Sequence, residues 1–315
     1  MVPKKSTKNI NNKIKLNLIL ENEQNFVYFC TLIKIKPHLK MKKAKILFIS
    51  QEITPYLEES PMGIIGRRLP QGIQERGREI RTFMPRYGCI NERRNQLHEV
   101  IRLSGMNLII NDADHPLIIK VASIQSARMQ VYFIDNEDYF QRKAILKDAK
   151  GEFFPDNDER VIFFCRGVIE TVKKLGWAPN IVHCQGWMTN LVPLYLKKAF
   201  NDNPLFADTK VIYSVYDDEF TTSLNKSFAK KAIIEGIQKQ DVEALKNPTF
   251  VNTTKSAIDF ADGVIIGSEK INPELEKYLK KINKPLLNYQ TMDEYIDAYS
   301  NFYDEVLEEE TVLAH

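Results

Sequence analysis

Short β-rich apolar runs alternate along this chain with longer stretches of helical period. From residue 45 onward the runs at 45–49, 80–84, 100–103, 117–122, 129–134, 181–183, 210–215 and 263–266 predict strands. Several are continuous and not alternating, the pattern of strands buried on both faces of a parallel sheet. Between them, apolar residues recur at helical spacing over 63–76, 158–175, 187–200, 227–235 and 253–260. In the second of these, Val161, Phe164, Cys165, Val168, Ile169 and Val172 form one stripe, and Gly176 closes the helix. The alternation predicts an α/β fold, a single Rossmann-like, doubly wound, mostly parallel sheet with a β-rich meander over 100–134. The segment 292–309 sets Tyr295, Tyr299, Phe302, Tyr303, Val306 and Leu307 at helical spacing before Glu308-Glu309-Glu310. It predicts a C-terminal amphipathic helix docked on the domain, with Tyr295, Tyr299, Phe302 and Val306 inward and Asp293, Asp297, Asp304 and Glu308 toward water.

The organisation that follows is a domain over 41–285, a helix and tail over 286–315, and a first forty residues with neither period. Those forty carry eight lysines against two glutamates, while the whole chain has a formal net charge of +3, so the remainder is net acidic by three. A basic excess confined to one segment, and not spread over a patterned face, argues against nucleic-acid binding. Its apolar pieces around 16–20 and 26–35 are short and interrupted and precede no small-residue cleavage site, unlike a signal peptide. No run approaches the roughly 20 apolar residues that cross a bilayer. Residues 1–40 therefore predict a basic disordered extension, and Met41 with the strand that follows looks like the start of a cytosolic α/β protein. With 315 residues, 43% hydrophobic and 27% charged, the chain can bury a substantial core. Cys30, Cys89, Cys165 and Cys184 lie far apart with no CxxC pair, which predicts reduced thiols in a cytoplasmic protein and neither a disulfide framework nor a metal site.

In an open α/β sheet a ligand sits in the crevice at the carboxyl ends of the strands, where helix N-termini offer free N–H groups. Three segments end there: the loop over 51–66, the turn His183-Cys184-Gln185-Gly186-Trp187, and Ser214-Val215-Tyr216-Asp217-Asp218. The first is not a dinucleotide fingerprint, since Gly63 and Gly66 lack the G-x-G start and come too long after the strand.

Read together with Glu52 and Pro55, Leu69-Pro70, Met84-Pro85-Arg86-Tyr87-Gly88, Pro155-Asp156-Asn157-Asp158-Glu159-Arg160, Leu175-Gly176-Trp177-Ala178-Pro179-Asn180-Ile181-Val182-His183-Cys184, Trp187, Leu191-Val192-Pro193-Leu194-Tyr195-Leu196 and Ala261-Asp262-Gly263-Val264, the chain resembles the glycogen and starch synthase family over nearly all of 42–270. The order and spacing of the blocks carry the resemblance. It implies the N-terminal half of a GT-B glycosyltransferase, in which two Rossmann-like domains close on a nucleotide-diphosphoglucose and extend an α-1,4-glucan without metal or other cofactor. It also implies a donor held mainly by the second domain and an acceptor lying mainly on the first.

The departures are as informative. The family's Lys-Thr-Gly-Gly loop, whose Lys faces the donor's phosphates, falls by spacing on Glu58-Glu59-Ser60-Pro61. A carboxylate there repels a diphosphate, and Pro61 removes an N–H donor. The family's His-Cys-His-Asp-Trp block appears as His183-Cys184-Gln185-Gly186-Trp187, its Ile-His-Asn as Val215-Tyr216-Asp217, and the chain stops where the second domain begins in the family.

The resemblance nominates His183 as the catalytic candidate, and Arg86, Tyr87, Asp156, Asn157, Arg160, Trp187 and Lys255 as substrate-binding candidates. Each also has a structural explanation. His183 ends a buried strand, Asp158 is a good N-cap beside Asp156 and Asn157, Pro-Arg-Tyr-Gly is a strand-ending turn, and Trp187 suits a core. Two functions follow. One is glucosyl transfer to an α-glucan, with a partner chain completing the enzyme. The other is a non-catalytic descendant that binds a glucan or metabolite or regulates a partner. The substitutions at Glu58 and in the histidine block favour loss of synthase activity in the isolated chain.

Overall fold

Strand β1 (Lys45–Ser50) lies at the centre of the sheet, pairing in parallel with β2 (Glu79–Pro85) on one side and β7 (Ile181–Gln185) on the other. The computed structural model describes residues 44–313. The expectation for residues 1–40, and Cys30 within them, fall outside it. Among the described residues the sheet has ten strands in the order β10-β9-β8-β7-β1-β2-β6-β5-β3, with β4 paired to β5. The other strands are β3 (His98–Glu99), β4 (Met106–Ile110), β5 (Ala113–Ile124), β6 (Met129–Asp135), β8 (Lys210–Val215), β9 (Gly263–Ile266) and β10 (Leu286–Leu287). Every pairing from β10 to β6 is parallel, and those of β3, β4 and β5 are antiparallel. The mostly parallel α/β sheet read from the sequence is the sheet that forms. Because the chain leaves β1 for β2 and later returns to β7 on its other side, the order reverses between β1 and β7, and the crevice opens at their carboxyl ends.

Alternate residues of the central strands feed two apolar layers. Ile46 and Phe48, with Ile181, Ile212 and Ile265, face helix α1 (Pro61–Glu75). Leu47, Ile49, Val182, Cys184, Val211 and Val264 face the other way, toward the core that includes Val161, Phe164, Val168 and Val172 of α4 (Asn157–Leu175). Two short helices, α2 (Glu92–Asn95) and α3 (Glu137–Phe140), precede α4. Beyond it come α5 (Leu191–Leu194), α6 (Phe228–Ala232), α7 (Phe250–Phe260), α8 (Pro273–Leu279) and α9 (Tyr295–Leu313). Helix α9 completes the α1 layer: Tyr295, Tyr299, Phe302, Tyr303 and Val306 are all buried there. Asp297 and Asp304 lie on the outer side but are not merely solvated, since they ion-pair with Arg76 and Arg78. The two helices touch at Gly72, where a Cβ would stand 2.6 Å from Ile296 Cγ2, so a larger residue would have to push Ile296 aside.

Several elements differ from the pattern-based expectation. Residues 101–103, within the expected strand at 100–103, form a turn stitched by Ser104 Oγ donating to Val100 O at 3.2 Å, and Ile101 is 83% exposed. A hairpin follows at β4–β5, closed by Asn111 and Asp112 at φ 52° and 62°, the left-handed pair of a two-residue turn. The helix expected over 187–200 breaks into a 3-10 turn at Trp187–Thr189, α5, and a π turn at Tyr195–Ala199, with Pro193 unable to donate. That expected over 227–235 is helical only at Phe228–Ala232, because Ile233 turns extended. Helix α1 starts earlier than its apolar period, at Pro61. Ser60 is the N-cap, its Oγ accepting from Gly63 N at 2.9 Å, and proline is harmless at the first position. Ser60→Ala is expected to cost about 1 kcal/mol, measurable by urea denaturation, and no change would mean that the cap bond is not made in solution.

Candidate functional site

At the carboxyl ends of β1 and β7 the chain bonds to itself. Gln51 N donates to Gln185 O at 3.0 Å, Ser50 Oγ to Gln185 Oε1 at 2.6 Å, and Gln51 Oε1 accepts from Met188 N at 3.2 Å. Gly186, at φ 86°, lets the chain turn into the Trp187–Thr189 segment, and a Cβ there would stand 2.8 Å from Gln51 Cβ. Trp187 N, the donor at the start of that turn, is taken by Asp218 Oδ2 at 2.9 Å. Ser60 Oγ, the cap of α1, donates to Glu52 Oε2 at 2.6 Å. The N-termini of α1 and of the Trp187–Thr189 turn are thus met by protein groups, and a carboxylate stands beside each.

The local field registers on Asp218. Burial, with the charges of Glu52 and Asp217 adding to it, pushes its carboxyl up from the usual range to about 7, although Trp187 N and its own backbone N–H pull the other way. Glu58 and Glu59 are exposed on the same loop as Glu52, and Asp217 N is fixed by Ser268 Oγ at 3.0 Å. Asp218 was not among the residues singled out. The signal was an acidic pair directly after a strand end, which spacing alone did not connect to Trp187.

The nominated residues separate into two groups. Arg86, Tyr87, Asp156, Asn157 and Arg160 gather around the loop over 141–154. Arg160 is fully buried, with Nε donating to Tyr139 O at 2.8 Å and Nη1 to Ile145 O at 2.7 Å and to Asn157 Oδ1 at 2.6 Å. Its guanidinium lies 5.9 Å from the Tyr87 ring and 5.2 Å from Phe140, and burial pushes its pKa down to about 10. Asn157 donates to Leu146 O at 3.0 Å, and Asp156 is gripped by Arg142. Arg86 ion-pairs with Glu92 and lies 3.7 Å from Asp135, whose other cation is Lys120 at 2.9 Å. These residues staple the loop to α4 and β2, and Tyr87, Asn157 and Arg160 offer almost no surface to a ligand.

His183 and Lys255 lie apart from that group, and Trp187 meets only its loop, through Phe153. His183 is inside the α1–α9 layer, with Nδ1 2.8 Å from Tyr303 Oη and Nε2 2.7 Å from Ser214 Oγ. Burial pushes its pKa down to about 3, so it is a neutral ring at ordinary pH. Trp187 packs 4.7 Å from the Phe220 ring and 6.0 Å from Phe153. Lys255 ion-pairs with Glu274 and lies over Tyr278, joining α7 to α8. Among the described residues no group of three or more His, Cys, Asp or Glu could hold a metal ion, and no helix is long and apolar enough to cross a membrane.

The family model described as the starch synthase catalytic domain matches residues 45–283. Glycogen synthase of Chlorobium limicola is 39% identical over 55% of this chain and 36% of its own length. That of Chlorobium phaeovibrioides is 30% identical over 78% of this chain and 58% of its own, and that of Chlorobaculum tepidum 35% identical over 73% and 47%. The chain thus spans between about a third and three-fifths of these relatives. Among solved structures, the catalytic domain of Starch Synthase IV from Arabidopsis thaliana, bound to ADP and acarbose, superposes with a TM-score of 0.61 at 18% identity, covering 79% of this chain and 52% of that one. At that identity the likeness is one of fold.

Proposed function

Since this chain belongs to the glycogen and starch synthase family, we propose that it is a member which does not itself transfer glucose from a nucleotide-diphosphoglucose, its donor-facing crevice being closed to a diphosphate. The observation that carries this is Asp218 Oδ2 taking Trp187 N at 2.9 Å in a pocket where burial first, and the charges of Glu52 and Asp217 after it, raise its carboxyl to about 7. A site that already resists one more negative charge resists the two or more of a diphosphate. A carboxylate about 4 Å from a phosphate oxygen costs about 1 kcal/mol in water and about 4 kcal/mol at the effective dielectric of a protein surface. Glu58 and Glu59 add to this where the family resemblance implies a phosphate-facing lysine. The buried state of Tyr87, Asn157, Arg160 and Trp187 supports the same proposal, for these residues work as internal staples.

The proposal is tested with the purified chain, radiolabelled ADP-glucose or UDP-glucose, and glycogen. Incorporation is expected to stay at background, and neither nucleotide sugar at millimolar concentration should raise the melting temperature. A ligand at a hundred times its Kd would stabilise by about 2.7 kcal/mol, a shift that thermal denaturation resolves easily. Saturable incorporation, or a shift of that size, overturns the proposal.

A further inference from the structure

At the end of the sheet opposite the crevice, the last turn of α1, the first residues of β2 and the β5–β6 connection enclose an open cavity of 440 Å³. Its wall contains Arg81 and Arg128 and no aspartate or glutamate, and Gln74, Gln130, Ser123 and Tyr132 supply much of its remaining polar surface. Among the described residues neither arginine has a carboxylate partner. Arg81 is positioned by packing: its guanidinium lies 5.2 Å from the Trp177 ring and 5.7 Å from the Tyr132 ring, and Nη1 donates to Tyr132 Oη at 2.8 Å. Its Nε is buried without an acceptor.

Arg128 is fixed through its backbone. It sits at φ 49° at the end of the Gln125–Ala127 turn, its N–H bonded to Gln125 O at 3.1 Å and its carbonyl to Gln74 Nε2 at 3.5 Å. Its side chain is exposed and makes no hydrogen bond or ion pair among the described residues. Arg67 donates to Ser126 Oγ at 2.9 Å, which brings a third cation within one residue of the lining.

A cavity of this volume is of small-molecule size, and guanidinium forks match phosphate oxygens in pairs. We propose that this cavity binds a phosphate monoester of a small metabolite, its phosphate between Arg81 and Arg128 and its polar remainder against Ser123, Gln74 and Gln130. The site shares no residue with the crevice, so it stands whether or not the chain transfers glucose.

The full chain is titrated calorimetrically, at fixed ionic strength, with inorganic phosphate, ribose 5-phosphate, fructose 6-phosphate and sodium sulfate. Saturable binding is expected for at least one sugar phosphate, about tenfold tighter than for inorganic phosphate or sulfate. Arg128→Gln should weaken it by about tenfold or more without moving the melting temperature of the free protein, because that side chain holds nothing in the fold. Arg81→Lys, which keeps the charge but loses the fork, should weaken it as well. No saturable binding up to about 10 mM, or binding unchanged in Arg128→Gln, overturns the proposal. Equal affinity for inorganic phosphate and the sugar phosphates overturns the monoester assignment.

Discussion

Truncating Phe302 to alanine is expected to lower the unfolding free energy by about 3 to 5 kcal/mol, the usual cost of removing a buried aromatic. The ring lies deep in the α1–α9 layer, close enough to Gly263 that a Cβ on that glycine would stand 3.1 Å from Phe302 Cζ. The void would open against β9 and Val306, where neighbouring Tyr299 and Tyr303 are held in place by their own contacts and cannot collapse into it. Equilibrium urea denaturation gives the number directly. A loss below about 1 kcal/mol would mean that α9 is not packed on the sheet in solution. If the same variant left stability unchanged but dissolved a dimer, the helix would be an interface between chains.

His183 is expected to make the fold acid-sensitive. Its pKa is about 6.5 in an unfolded chain and about 3 in the native interior, so below pH 6.5 the unfolded state binds the proton and the native state does not. The stability that follows from keeping the ring neutral is fully present above pH 6.5 and is lost as pH falls toward 3, reaching about 5 kcal/mol when the whole shift is spent. Asp218 acts in the opposite sense: with its pKa raised to about 7, its contribution falls as pH rises from 4 to 7. The wild-type curve alone therefore mixes the two. The difference between wild type and His183→Gln isolates the histidine, because glutamine can keep a bond to Tyr303 or Ser214 without titrating. Between pH 6 and pH 4 that difference should move in favour of the variant by about 1.4 kcal/mol per pH unit. Parallel curves would show that the ring is not sealed in the interior.

The two ends of the sheet present contrasting electrostatics from one nearly neutral chain. Acidic Glu52, Glu58, Glu59, Asp217 and Asp218 lie in the loops that follow strand C-termini, where helix N-termini would favour an anion, and at the far end lie Arg81 and Arg128, which have no carboxylate partner among the described residues. Net charge says nothing about such a division, since it sums over both ends.

How much of this was legible beforehand can be judged from individual residues. The apolar runs located the parallel strands β1, β2, β6, β7, β8 and β9 but not the two-residue β10, because a strand buried on both faces has no polar alternative and must be written as a continuous run. The stripe of α9 was equally plain, since six apolar residues at helical spacing have to be covered by something. The ordered blocks from Glu52 to Val264 were enough to identify the family. What the sequence could not say was which groups meet across long separations. Trp187 N finds Asp218 across 31 residues, and His183 finds Tyr303 across 120. Periodicity reports that a position is inside but not what it bonds to there, so a histidine nominated for catalysis and one sealed beside a tyrosine look the same. The sequence by itself determined the layers and the lineage. Only the tertiary structure decided that Arg160 is a buried staple, that Asp218 occupies the turn an anion would need, and that Arg81 has no counter-charge among the described residues, because each depends on distances set by packing and not by spacing along the chain.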